Sequence, residues 1–251
     1  MNKLHLSGAI AALILPGLAG AWQQTPTMTP PATAAPTQEV AATYSLKRVA
    51  KAGDVLKFKL GAELEMGGQN ISFSALMTET VKEVADNGNY KIASGQTDAK
   101  INMGGQEQDI PSRDADNEVT YTPLGEIVDV KADGIEGARR FGNLQILRAP
   151  DSPVKVGDSW TYKGAADAKA GVVAFTADYK VLAAEKVGDL DTIKLKCTIK
   201  ETEGAEPASS DGTVWVEAKN FSMVKVETTW TNMPVPGAPG PINAKVTITR
   251  V

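Results

Sequence analysis

Apolar and polar side chains alternate with a period of two through several long stretches of this chain. "VLKFKLGAELEM" (55–66) sets Leu56, Phe58, Leu60, Ala62, Leu64 and Met66 against Lys57, Lys59, Glu63 and Glu65. "DTIKLKCTIKE" (191–201) repeats the scheme, with Ile193, Leu195, Cys197 and Ile199 on one side and Lys194, Lys196, Thr198 and Lys200 on the other. "SMVKVETTW" and "INAKVTITRV" continue it through Val224, Val226 and Trp230, then Ile242, Ala244, Val246 and Ile248. Successive side chains of a strand point to opposite faces, so these runs predict strands with one dry and one wet face. That is the signature of antiparallel sheet.

Turn chemistry separates the runs: "MGGQN" (66–70), "DNGN" (86–89), "MGGQEQD" (103–109), "VGDLD" (187–191), "SSDGT" (209–213) and "AKN" (218–220). Gly, Asn and Asp supply the positive φ that tight hairpins need. Read by this punctuation, the chain holds about 11–12 strands. So many strands predict a mainly β fold, a curved antiparallel sheet or open half-barrel.

One segment departs from the alternation. "GIEGARRFGNLQILRAP" spaces Ile135, Ala138, Phe141, Leu144 and Leu147 three apart, with Arg139 and Arg140 between them, and Pro150 closes it. This spacing predicts a helix over 134–148 with one apolar stripe. Gly134, Gly137 and Gly142 weaken it, each by about 1 kcal/mol relative to Ala, so packing must hold it. A single apolar helix in a one-sided sheet protein is expected to cover the concave dry face.

Two phrases echo each other: "KAGDVLKFKL" (51–60) and "KVGDSWTYKG" (155–164). With Gly53 on Gly157, the following strands correspond in length and in their Gly turns, Gly88 against Gly188. The halves would run over 43–133 and 152–251, with the helix as bridge. "KVGD" also stands at 186–189, inside a hairpin, and Gly-Asp before a strand is ordinary turn chemistry. Internal duplication and turn convergence therefore both account for the echo. In either case the phrases open long strands.

The ends suggest where the chain works. Lys3 precedes the uncharged apolar run "LSGAIAALILPGLAGA" (6–21), which ends in small residues at Ala19 and Ala21. This is the pattern of an export leader over 1–21, cleaved near Ala21. The run is short for a bilayer span and is interrupted by Pro16 and Gly17, so no integral span is expected after cleavage. Residues 22–42 hold Pro26, Pro30, Pro31 and Pro36 among Thr and Ala. They read as a disordered tether leading to one antiparallel β domain over 43–251.

The Gly-Asp phrases, the leader, the Thr/Pro tether and the Met-Gly-Gly-Gln turns together resemble a family of uncharacterised secreted bacterial proteins with Gly-Asp-x-Trp strand starts. More distantly, many antiparallel strands with an internal helix resemble the lipoprotein-carrier half-barrels of the bacterial envelope. Those hold acyl chains between sheet and helices. The resemblance implies a secreted or periplasmic location and a fold class. It assigns no functional residue.

Composition prunes chemistry more than charge does. The single Cys, Cys197, excludes an internal disulfide. The single His, His5, lies in the predicted leader, so the mature chain would lack imidazole. That excludes Ser-His-Asp and Cys-His catalysis, His-ligated zinc and histidine pH switching. A formal net charge of −4 argues against nucleic acid as a partner.

Five features of the sequence bear on a site. Leu56, Phe58, Leu60, Phe141, Leu144, Trp160, Tyr162, Phe175 and Trp230 are expected either to line a hydrophobic ligand cavity between sheet and helix or simply to fill the core. "RDADNE" (113–118) has alternating oxygen donors but lacks the Gly of a helix-loop-helix Ca²⁺ site, and reads as a solvated loop. No carboxylate pair stands out among the 30 acidic residues. Cys197, on an inward face, reads as a small hydrophobe. "NMPVPGAPGPIN" (232–243) stiffens a connection or presents a polyproline ligand. The expectation is an exported, non-catalytic cell-envelope protein without cofactor or metal, binding a hydrophobic or amphipathic small molecule, a lipid being one candidate. The alternative is a structural or protein-interaction module with a filled core, whose partner would be an envelope protein.

Overall fold

The structure, a computed structural model, describes residues 42–66, 69–131, 137–235, 238 and 240–251. The predicted leader, the tether up to residue 41 and residues 134–136 of the predicted helix lie outside the described residues. The strands are β1 (Val55–Met66), β2 (Gln69–Val84), β3 (Tyr90–Met103), β4 (Gln106–Ile110), β5 (Arg113–Tyr121) and β6 (Ile127–Lys131). After helix α1 (Ala138–Asn143) come β7 (Ser159–Gly164), β8 (Phe175–Val187), β9 (Leu190–Glu201), β10 (Ser209–Glu217), β11 (Met223–Met233) and β12 (Ile242–Arg250).

Among the described residues, twelve strands form one antiparallel sheet, in the order β6-β5-β3-β2-β1-β12-β11-β10-β9-β8-β7, with β4 beside β3. The first and last strands therefore pair at its centre, from Phe58 opposite Arg250 to Glu65 opposite Asn243. The two free edges, β6 and β7, are consecutive in sequence. The curved, open antiparallel sheet expected from the alternation is the fold observed.

Register turns the period-two pattern into a core. Leu64, Ala62, Leu60 and Phe58 of β1 stand opposite Ile71, Phe73, Ala75 and Met77 of β2. On the other flank, Leu60, Ala62 and Leu64 face Ile248, Val246 and Ala244 of β12. All these side chains are buried. Each large one contributes on the order of 1.5–3 kcal/mol of transfer free energy. A one-residue slip would turn the whole set to water, so the register is strongly specified.

The helix is shorter than its apolar stripe. Gly137, at φ 79°, precedes α1 without a side-chain cap, and α1 ends at Asn143. Beyond it, sheet side chains capture the backbone carbonyls. Ser210 Oγ donates to Leu144 O at 2.7 Å, Tyr179 Oη to Ile146 O at 2.9 Å and Trp160 Nε1 to Arg148 O at 2.7 Å. These bonds, with Gly137 and Gly142 lowering propensity, outcompete another helical turn.

The two echoing phrases make the same turn. Gly53 and Gly157 have φ of 88° and 96°. The Gly N–H donates to Val81 O in one turn (2.8 Å) and to Val181 O in the other (2.9 Å). Asp54 and Asp158 carboxylates accept from Lys51 N and Lys155 N, both at 3.0 Å. Directly after each Val the next strand pair shifts register, between Val81 and Glu83 and between Val181 and Ala183. Shared ancestry and convergence on one turn would both produce this geometry.

Candidate functional site

Closure of the sheet is completed by chain, not by strand pairing. The segment 144–149 follows α1 and lies between the two free edges. Arg148, buried, donates from Nη1 to Gly125 O before β6 and from Nη2 to Asn143 Oδ1 at 3.1 Å. Its guanidinium carbon stands 5.0 Å from the Tyr162 ring centroid on β7. Ala149 N donates to Leu124 O (2.9 Å), and Tyr162 Oη donates across the gap to Glu126 Oε1 (2.9 Å). Gly125 permits this approach, since a Cβ there would lie 2.0 Å from Leu147 O. Burial lowers the Arg148 pKa from its usual value.

A second strap crosses from the N-terminal side. Tyr44 pairs with Val154, Leu46 is buried, and Arg48 N and Val49 N donate to Pro123 O (2.9 Å) and Asn220 O (3.0 Å). Arg48 Nη1 donates to Val49 O and Asn220 O.

Beneath these two straps lies a cavity of about 140 Å³. Leu56, Ile92, Val214, Val216, Val226 and Ile146 supply apolar wall, and Glu79, Tyr90, Tyr121 and Arg48 supply its polar corner. Glu79 belongs to the inward stripe of β2, opposite Leu56 on β1 and Ser94 on β3. Among the described residues its carboxyl has no hydrogen-bond partner. It is half-buried, yet the surface left to it lines this cavity. Desolvation pushes its pKa up to about 7, against the lowering influence of Arg48 and Arg250. Tyr90 and Tyr121 stack with ring centroids 5.6 Å apart, and Arg48 sits 6.0 Å from the Tyr90 ring. Burial raises both phenols well above their usual pKa, and the Glu79 charge adds to the rise.

The residues expected from the sequence are distributed differently. Leu56 lines this cavity. Phe58, Leu60, Phe141, Leu144, Phe175 and Trp230 are buried in the contiguous core, with Phe141 edge-on to Trp230 at 5.6 Å. Trp160 and Tyr162, partly buried on the edge strand β7, stack on Tyr179 (5.2 Å) and tilt against Phe175 (6.0 Å), and both bind the closing segment or the far edge. Cys197 is buried, and burial raises its thiol pKa. It borders a second void of about 30 Å³, room for one or two waters.

Sequence reasoning missed Glu79, Tyr90, Tyr121 and Arg48. A signal for the first was present: in "FSALMTETV" the inward series Phe73, Ala75, Met77 continues to Glu79 before returning to Val81. An acid in register with a dry stripe is a departure from the alternation that calls for a reason.

A broader groove of about 670 Å³ lies elsewhere, with Asn102, Ser72, Glu63, Lys245 and Thr229 forming one cross-strand row along it. It is open, and its lining mixes these polar side chains with Leu64, Ile71, Trp230 and Ala244. Among the described residues, no helix is long and apolar enough to cross a membrane, and no group of His, Cys, Asp and Glu is placed to hold a metal ion.

No protein-family model matches the chain, and no curated protein matches it. Two solved structures are similar in part. One is a protein from Bacteroides fragilis described as exported with a YmcC-like fold, at TM-score 0.32 and 8% identity, covering 83% of this chain and 98% of that one. The other is the hypothetical lipoprotein YmcC from Escherichia coli, at TM-score 0.30 and 12% identity, covering 78% and 82%. At these values neither similarity bears on what this chain does.

Proposed function

We propose that the chain is an exported, non-catalytic cell-envelope protein that binds a small amphipathic molecule in the cavity beside Glu79. The observation that carries this reading is an unpartnered carboxyl on the dry face, in an apolar cavity under two straps. Keeping an acid there costs stability, and a bound polar group would offset that cost. Export rests on the leader pattern of residues 1–21. The absence of imidazole from the mature chain supports a binding role over catalysis. The volume of about 140 Å³ suits one ring or a short alkyl group. A full acyl chain would require segment 144–149 to move aside.

Native mass spectrometry of the mature chain, purified without detergent, tests the reading. A bound small molecule, released by acid or organic solvent, is the expected result. A ligand-free mass, together with no response of Tyr90, Tyr121 or Ile92 resonances to small apolar probes, would overturn it.

The filled core favours a second reading, a protein-interaction module. Six of the nine residues expected to line a ligand cavity are packed core. Under it, exposed sheet edges and loops would meet the partner. A stable complex with an envelope protein and no bound small molecule would support it.

A further inference from the structure

The polar corner of the cavity has a definite chemistry. Arg48 offers guanidinium N–H groups, and Tyr90 and Tyr121 offer phenolic O–H groups that burial keeps protonated. The Glu79 carboxyl, when neutral, adds another O–H. None of the three O–H groups has a hydrogen-bond partner among the described residues. Donors outnumber committed acceptors, and the one fixed charge lining the cavity is positive. A cation placed here would face Arg48 across the Tyr90 ring, whereas a planar anion would meet donors from three sides.

We infer that the cavity takes a small apolar carboxylate, its anion held by Arg48, Tyr90 and Tyr121 beside the Glu79 carboxyl. The inference rests on the small-molecule reading above and gives that molecule its head group. Two carboxylates share such a corner only with a proton between them, so binding above neutral pH takes up one proton at Glu79. The groups acting on Glu79 are Arg48 from the N-terminal strap, Tyr90 from β3, Tyr121 from β5 and Arg250 from β12. Arg250 is already engaged, donating to Glu217 Oε2 (2.9 Å), Ser222 Oγ (2.6 Å) and Met223 O (2.8 Å). Arg148, on the closing segment, acts on Tyr121. Arg48, whose Nη1 donates to Val49 O and Asn220 O, is the one of these cations that lines the cavity.

Three probes of nearly equal size separate the alternatives: benzoate, benzyl alcohol and benzylamine, titrated into the mature chain at pH 6 and pH 8 by calorimetry and NMR. Benzoate is expected to bind best, about tenfold more weakly at pH 8 than at pH 6, because the competent protonation state becomes the minor one. Glu79→Gln should bind benzoate equally at both pH values. Arg48→Met should lose it. Tyr121→Phe, which removes a single hydroxyl and keeps the ring, should weaken it several-fold even if the Arg48 variant fails to fold. Benzylamine or benzyl alcohol binding at least as tightly as benzoate would overturn the carboxylate while leaving the small-molecule reading intact. Benzoate affinity indifferent to pH would overturn the proton uptake at Glu79. Silence from all three probes would overturn both the carboxylate and the small-molecule reading.

Discussion

Glu201 and Glu79 each extend the inward stripe of a long strand, one after Ile193, Leu195, Cys197 and Ile199 on β9, the other after Phe73, Ala75 and Met77 on β2. Their surroundings are opposite. Glu201 is 1% exposed and fully engaged: Arg140 of α1 donates to both its oxygens, at 2.6 and 2.8 Å, and Ala208 N donates at 2.9 Å. Glu79 sits in a cavity with nothing donating to it among the described residues. The first acid docks the helix on the sheet. Burial raises the pKa of the second to about 7, so it keeps its proton to a higher pH than a surface acid does.

The largest test removes the partner of the satisfied acid. Arg140→Met should cost about 3–5 kcal/mol in urea unfolding, because it strands a buried carboxylate. Arg140→Met with Glu201→Met should recover most of that loss, and no recovery would mean that Arg140 acts by packing alone.

Glu79→Gln should do the reverse, and only at high pH. A folded pKa raised to about 7 means the wild-type gains stability from protonation below its unfolded value of 4.5 and loses it as pH rises toward 7. Between pH 5 and pH 8 the wild-type should lose about 2–3 kcal/mol that the Gln variant keeps. Parallel pH profiles for the two proteins would show that Glu79 is solvated as an ordinary surface acid.

Tyr179→Phe reaches the roof of the cavity. Tyr179 Oη donates to Ile146 O and accepts from Arg148 N (3.2 Å), so its loss orphans two buried backbone groups, at about 1–3 kcal/mol. Hydrogen exchange at residues 144–149 should rise before that of the central strands. Smallest are Asp54→Ala and Asp158→Ala, each removing one exposed turn bond for about 0.5–1 kcal/mol. The two losses should match, since the turns match.

Much of the fold can be read along the chain, and much of the site cannot. The alternation through Leu56 to Leu64 and through Ile193 to Ile199 is a local property, and local properties survive into the sheet unchanged. The helix was legible in its apolar stripe but not in its length, because Tyr179, Ser210 and Trp160, which take its last carbonyls, come from distant strands. Leu56 lines the cavity beside Glu79. Phe58, Leu60, Phe175 and Trp230 could not be told apart from Leu56, since lining and core residues obey the same alternation, and Phe141 and Leu144 share one apolar stripe whether they pack or line.

By itself, the sequence determined strand period, facing and the Gly-Asp strand starts, because sterics and hydrophobic burial act on neighbours a few residues apart, whereas "SSDGT" (209–213), expected as a turn, lies within β10. Only the tertiary structure decided that β1 pairs with β12, that β6 and β7 stay unpaired, and that 144–149 fills the space between them. These are long-range choices, made by which dry faces can cover one another at once. The same choices brought Arg48, Glu79, Tyr90 and Tyr121 to one corner from four separate segments, where burial rather than any neighbour in sequence sets the charge of Glu79.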